Sequence, residues 1–103
     1  MTNKLTPDEF INKILNGQTD FSETKISGDL RLNPEYQELI RYLTYKNYTY
    51  LFTYADLSNL IAPQLNLMGA DFRGAILTEA DFRGAILTEA DFTGANLKWA
   101  IFT

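Results

Sequence analysis

The chain has 103 residues and a net charge of −4, from 13 acidic and 9 basic side chains, and it contains neither histidine nor cysteine. This length predicts one domain with a modest core, while the composition excludes disulfides, thiolate chemistry, histidine-based catalysis and the usual zinc ligand sets. No apolar run approaches the roughly 18 residues of a membrane span, and residues 1–20 lack a secretory signal, so we expect a cytoplasmic protein without membrane contact.

The first predicted element is a helix over residues 6–17. Thr6 and Glu9 have the spacing of a capping box, and proline follows the cap at the first helical position. The apolar face consists of Phe10, Ile11, Ile14 and Leu15, and Gly17 suits the helix end. Because the end of a repeat array exposes backbone and core side chains, we expect this helix to cover that end.

Two five-residue units follow over residues 19–28, with Phe21 and Ile26 at the inward positions. Leu32 is one residue out of their register, but it lies twenty residues before Phe52. A one-residue bulge in this stretch would place Leu32 in the same column as Phe52.

A second helix is predicted after Asn33, which suits a cap, and it extends to about Lys46. Its apolar residues at helical spacing are Tyr36, Leu39, Ile40 and Leu43. An irregular side of the first coil is the alternative. The tyrosines here are Tyr42, Tyr45, Tyr48, Tyr50 and Tyr54. Packing between helix and repeats is the favoured explanation for them, and a ligand or cation site is the weaker one.

From residue 50 to residue 103 an apolar side chain recurs at every fifth position, and residues 70–79 and 80–89 are the same decapeptide, ADFRGAILTE. A period of five keeps one face on neither an α-helix nor an unbroken strand. The chain must therefore turn a corner once per repeat. One position of the repeat holds Gly69, Gly74, Gly84 and Gly94, as expected for corners with positive φ; Asn59, Glu79 and Glu89 hold it elsewhere and indicate a turn type that accepts a side chain.

The blocks ADFRG, ADFTG and ANLKW resemble the pentapeptide-repeat proteins, closely over residues 65–103 and loosely over 50–64. The resemblance implies a mainly β fold, a right-handed quadrilateral β-helix with four repeats per coil and about three coils here, to which we add an N-terminal α-helix and a second helical excursion. We predict one compact domain in two parts: residues 1–49 form the helical cap with irregular repeats, and residues 50–103 form the β-helix.

Four repeats per coil require residues twenty apart to lie over one another. The predicted inward columns are Phe52, Phe72 and Phe92; Leu57, Leu77 and Leu97; Ala62, Phe82 and Phe102; and Leu67 and Leu87. Like residues stack on like, which predicts uniform core layers without voids.

The carboxylates of the repeats give little indication of chemistry. Asp56, Asp71, Asp81 and Asp91 each precede an inward residue and are expected to point outward into water. A stacked pair of Asp71 and Asp91 would hold a cation weakly, but a solvated face with Arg73 offsetting the repulsion is favoured. No phosphate-binding or dinucleotide fingerprint is present. We therefore predict no enzyme, no catalytic or metal site, and no cofactor.

The resemblance also implies that some family members mimic B-form DNA and bind topoisomerases such as gyrase. Residues 50–103 supply about 2.7 coils, a rod only about 13 Å long at strand spacing. Its outward columns have mixed charge rather than a negative stripe, and no basic patch marks a nucleic-acid surface. Gyrase binding is therefore the alternative function, and no nucleic-acid partner is expected.

A scaffold or protein-interaction module is the favoured function, as for many family members of unknown role, notably those abundant in cyanobacteria. The chain as given ends just after the inward Phe102 with no capping helix, and Trp99 and Ile101 lie at normally polar outward positions. We expect self-association through Trp99, Ile101 and Phe102, symmetric if it closes as a dimer, with a further protein partner unknown. A frayed or truncated end is the alternative.

Overall fold

The computed structural model describes residues 3–45 and 50–103. The elements in chain order are β1 (Asn3–Leu5), α1 (Pro7–Leu15), β2 (Thr24–Ile26), β3 (Gly28–Asp29), a 3-10 helix (Leu30–Leu32), α2 (Tyr36–Tyr45) and β4 (Leu60–Ile61). β1 pairs in parallel with β2, and β3 pairs in parallel with β4. The strands are short, and tight turns connected by single parallel bridges make up most of residues 50–103.

The bridges within the repeats connect residues twenty positions apart. Asp56 pairs in parallel with Ile76, and Ile76 pairs with Asn96. Backbone hydrogen bonds flank these bridges: the N–H of Ile76 donates to the carbonyl of Ala55 at 2.9 Å, and the N–H of Leu77 donates to that of Asn96 at 2.8 Å. The predicted stacking of residues twenty apart is therefore confirmed at these positions.

Phenylalanine rings stack along the same direction. The ring centroids of Phe52 and Phe72 are 5.6 Å apart with planes at 17°, and those of Phe72 and Phe92 are 4.9 Å apart at 7°. A second pair, Phe82 and Phe102, stacks at 6.1 Å and 8°. Between the two columns the rings meet edge to face, with Phe72 and Phe82 6.1 Å apart at 72°. Both arrangements are favourable for aromatic rings, so the two columns support each other.

The corners of the repeats share one backbone conformation. Gly74 has φ +67°, which confirms the prediction that glycine marks corners with positive φ. Glu79 and Glu89 have φ values of 59° and 63°, in the same left-handed region. Their corners therefore need no separate turn type, contrary to the expectation from the sequence. These side chains accept a conformation that costs roughly 1–2 kcal/mol without glycine.

Helix α1 lies across one end of the stacked residues. The capping box is present: the N–H of Glu9 donates to Thr6 Oγ1 at 3.1 Å, and the N–H of Thr6 donates to Glu9 Oε1 at 2.9 Å. The helix ends at Leu15 and is slightly shorter than predicted. Phe10 is buried, with its ring 4.9 Å from that of Phe21 and 6.0 Å from that of Phe52. The predicted helix is confirmed, and it covers the first aromatic column.

Residues that pair between the first layer of repeats and the next are more than twenty positions apart in the sequence. Lys25 bridges to Asp56, a separation of 31 residues, and Gly28 pairs with Leu60, a separation of 32. The register therefore shifts by one residue between β2 and β3, but in the direction opposite to the predicted bulge: Asp29 lies four residues after Lys25, whereas their partners Asp56 and Ile61 are five residues apart.

The predicted place of Leu32 is wrong. Its side chain is 83% exposed, and Leu30 is buried instead. The reason is α2, which is inserted between the first layer and the second, so a spacing of twenty to Phe52 has no structural meaning there. The helical interpretation of this segment is confirmed, with Asn33 Oδ1 accepting from the N–H of Glu35 at 2.7 Å; Lys46 lies outside the described residues.

Candidate functional site at the C-terminal end face

The structure buries the predicted columns to different degrees. The side chains with at most 2% exposure are Phe52, Phe72, Phe82, Leu57, Leu67, Leu77 and Ala62. Those that are half-buried are Phe92, Phe102 and Leu87. Leu97 is 39% exposed and is not a core residue, contrary to the prediction. Within residues 3–45 and 50–103 its column continues on one side only, to Leu77.

Four side chains form what we call the end face: Leu97, Trp99, Ile101 and Phe102. Trp99 is 68% exposed and Ile101 is 44% exposed. Both lie one coil above acidic residues, since Ile101 pairs with Asp81 and position 99 is twenty residues after a glutamate. Lys98 Nζ lies 4.5 Å from the centroid of the Trp99 ring, in cation–π contact. The end face is therefore apolar at positions where the coil below is acidic.

The backbone at the end face presents open hydrogen-bonding groups. In the coil below, the N–H groups of Leu77 and Phe82 donate to carbonyls of the next coil, both at 2.8 Å. The equivalent N–H groups of Leu97 and Phe102 have no backbone partner in the described part of the chain. Unpaired edges of this kind are templates for pairing with another chain. The end face thus combines apolar side chains with unpaired donors.

Two of the predicted outward carboxylates are covered rather than open to water. Asp71 and Asp81 are 7% and 9% exposed, because the arginine two residues on folds back over each. Arg73 Nε donates to both carboxylate oxygens of Asp71 at 2.9 Å, and its Nη2 lies 2.7 Å from Oδ2. The arginine hydrogen bond is the main cause that lowers the pKa of each carboxyl. These carboxylates have the geometry of turn-stabilising groups with their acceptor sites occupied.

The stacked carboxylates do not form a larger cluster. Asp71 and Asp91 pair across adjacent coils as expected. The pKa of Asp91 is lowered mainly by a hydrogen bond from the Thr93 hydroxyl, while the charge of Asp71 acts in the opposite direction. The described residues contain no group of three or more side chains suited to a metal ion.

The tyrosines do not converge on one site. Tyr45, Tyr50 and Tyr54 are exposed, whereas Tyr42 is partly buried against the core. Tyr48 lies outside the described residues. Packing between helix and repeats therefore explains Tyr42, but it does not explain the three exposed tyrosines.

Bridges and aromatic rings that recur at a fixed spacing define a repeat protein built from five-residue units. Residues 66–103 match the family model of pentapeptide repeats in eight copies. The C-terminal part of the chain, residues 66–103, is therefore made of pentapeptide repeats. A comparison with curated proteins gives no match. Neither helix in the described part of the chain has the length and apolar character needed to cross a membrane.

Proposed function

We propose that this chain is a non-enzymatic scaffold or protein-interaction module of the cytoplasm that self-associates through its end face. We propose also that residues 50–103 form a right-handed quadrilateral β-helix of about three coils. The parallel bridges at twenty-residue spacing and the stacked phenylalanine columns support this architecture. A further protein partner is part of the proposal, and its identity is open.

The exposure of Trp99 is the observation that carries the proposal. A large apolar side chain gains roughly 1.5–3 kcal/mol when it is removed from water. Trp99 and Ile101 are two such exposed side chains, two residues apart in the chain, and Phe102 after them is half-buried. A second copy that presents the same end would cover all of them, and a two-fold arrangement satisfies both copies at once.

The polar groups of the repeats support a structural rather than a catalytic role. Asp71 and Asp81 are held by arginines, and the hydroxyls of Ser58 and Thr93 donate to the aspartates two residues before them at 2.7 Å and 2.6 Å. Catalysis by a nucleophile or a general base requires a side chain that is free to act on a substrate. In the repeats these carboxylates and hydroxyls are instead engaged in hydrogen bonds that stabilise local turns.

The charge distribution favours a scaffold over a DNA mimic. A mimic needs a persistent negative stripe, but Arg73 and Arg83 lie over the two most buried carboxylates and neutralise them. The next coil replaces acidic residues with Trp99 and Ile101. The outward surface is therefore mixed along its length.

Trp99→Glu tests the self-association. The substitution is compatible with the fold, because Glu79 and Glu89 occupy the same position of the repeat with φ of 59° and 63°, close to the 61° of Trp99. It removes the largest exposed apolar group and places a like charge in each copy of a symmetric interface. We expect the dissociation constant measured by sedimentation equilibrium to rise by at least about tenfold, which corresponds to about 1.4 kcal/mol.

The matched control is Tyr45→Glu, which removes another exposed aromatic residue at a position on α2 away from the end face. We expect this variant to associate like the wild type. A wild-type protein that stays monomeric at every concentration, or equal weakening by both substitutions, would contradict the proposal.

A further inference from the structure

A cleft of about 650 Å³ lies between the N-terminal end of α2 and the repeats, away from the end face. Its walls include Arg31, Asn33, Tyr36, Gln37, Gln64 and Arg83. Small-molecule sites typically measure about 300–1,000 Å³, so the cleft has the size of a ligand site. Among the described residues the lining contains two arginines and no carboxylate, in a protein whose net charge is −4.

The register of the first layers brings the two arginines to one side of the molecule. Asp29 pairs with Ile61, and Ile61 pairs with Asp81, so residues two positions further on share a column. Arg31 and Arg83 are thus two layers apart, about 10 Å at strand spacing. Pro63, in the layer between them, also lines the cleft.

Each guanidinium group is held in place by its own aspartate. Arg31 donates from Nε to Asp29 Oδ1 at 2.9 Å and from Nη2 to Oδ2 at 2.8 Å. Arg83 donates from Nε to Asp81 Oδ1 at 3.0 Å and from Nη2 to Oδ2 at 2.8 Å. These bonds use one edge of each guanidinium, and among the residues that the structure describes no side chain occupies Nη1 of either group, so its two donors are available to a ligand. Side chains fixed in this way lose little further entropy on binding.

The two positive charges act on each other across the cleft. Asp81 raises the pKa of Arg83, chiefly through its hydrogen bond, and the charge of Arg31 opposes that rise. This repulsion is a cost that an anion placed between the guanidinium groups would relieve. The effect agrees with the shared column, in which the charge of Asp81 also acts on Arg31 and raises its pKa.

The floor of the cleft is fixed and uncharged. The Tyr36 hydroxyl donates to the carbonyl of Pro63 at 2.5 Å, and burial is the main cause that raises the pKa of this tyrosine. The phenol therefore stays neutral and adds no negative charge. Within the described part of the chain the side-chain amides of Gln37 and Gln64 have no hydrogen-bond partner, and both residues line the cleft. They supply further donors for ligand oxygens.

We propose that the cleft binds a small multivalent oxyanion, a phosphate or carboxylate ligand whose oxygens bridge Arg31 and Arg83. The two guanidinium groups supply charge-assisted hydrogen bonds from both ends, and the glutamine amides contact the remaining oxygens. This site goes beyond the scaffold function and does not depend on self-association.

The identical decapeptides provide a matched pair of variants. Arg73 and Arg83 occupy the same position of the same ten-residue sequence, and each pairs with its own aspartate, but only Arg83 lines the cleft. Thr93 holds this position in the next unit, where its N–H and hydroxyl both donate to Asp91. Arg83→Thr and Arg73→Thr are therefore substitutions that the repeat already accommodates.

The test is an NMR titration of the full chain with inorganic pyrophosphate and, separately, with citrate, at constant ionic strength maintained with sodium chloride. The arginine Nε–Hε signals report on each guanidinium. We expect saturable shifts at Arg31 and Arg83 with a Kd of about 1 mM or tighter for at least one probe. Arg83→Thr is expected to weaken that binding by about tenfold or more, and Arg73→Thr to change it by less than about twofold.

The probe that binds more tightly identifies phosphate or carboxylate as the ligand chemistry, and either result supports the site. Equal shifts at Arg73 and Arg83 would instead indicate general attraction of anions to exposed arginines and would overturn the proposal. So would equal weakening by the two threonine variants, or shifts that grow linearly without saturation. Circular dichroism of both variants verifies that each remains folded.

Discussion

At the scale of single residues, the repeat position that holds glycine has different requirements in different coils. A Cβ added to Gly74 would lie 2.4 Å from two ring carbons of Tyr54. A Cβ added to Gly94 would meet nothing closer than the backbone nitrogen of Gly74 at 3.8 Å. Both glycines have positive φ, as does Glu79 in the same position. Glycine at 74 is therefore required by the tyrosine as well as by the backbone.

We predict that Gly74→Ala destabilises the protein more than Gly94→Ala does. Both substitutions carry the left-handed backbone cost of roughly 1–2 kcal/mol, and the overlap with the Tyr54 ring adds about 1 kcal/mol or more. Urea unfolding of both variants measures the difference. In a Tyr54→Ala background the two substitutions are expected to cost the same. A difference that persists there would mean that the tyrosine is not its cause.

At the scale of elements, the sequence predicted those parts whose signals are local. The capping box at Thr6 and the apolar face around Phe10 identify α1 without knowledge of the rest of the chain. The place of Leu32 was wrong because it depends on an insertion: α2 separates the first layer from the next by more than one coil. Sequence spacing predicts stacking only where no residues are inserted between coils.

We predict that α1 stabilises the whole protein through Phe10 more than through its cap. Phe10 is buried against Phe21 and Phe52, so Phe10→Ala is expected to cost about 3–5 kcal/mol. Thr6→Ala removes one capping hydrogen bond and is expected to cost about 1 kcal/mol. Lys13→Ala, at an exposed position of the same helix, serves as the control. Equal unfolding midpoints for Phe10→Ala and Lys13→Ala would show that the helix does not cover the stack.

At the scale of the whole molecule, the sequence predicted which residues stack but not how deeply each is buried. The column order follows from the period of twenty, whereas burial depends on what lies above and below each coil. Two identical decapeptides therefore have different environments. Arg83 lines a cleft whose other wall includes residues of α2, whereas Arg73 does not line this cleft. The covered carboxylates were also missed, because the return of an arginine onto its own aspartate has no distinct sequence pattern.

Burial decreases along the stack toward the end face, and we predict that stability follows it. Phe72 is fully buried between rings on both sides, while Phe92 is half-buried with Phe72 on one side of its column. Phe72→Ala is expected to cost about 3–5 kcal/mol, and Phe92→Ala about half as much. Urea unfolding at low protein concentration measures both.

If copies associate through the end face, the cost of Phe92→Ala should rise with protein concentration and that of Phe72→Ala should rise less, because only the coil of Phe92 borders the interface. Equal costs at every concentration would contradict both the burial gradient and its link to self-association.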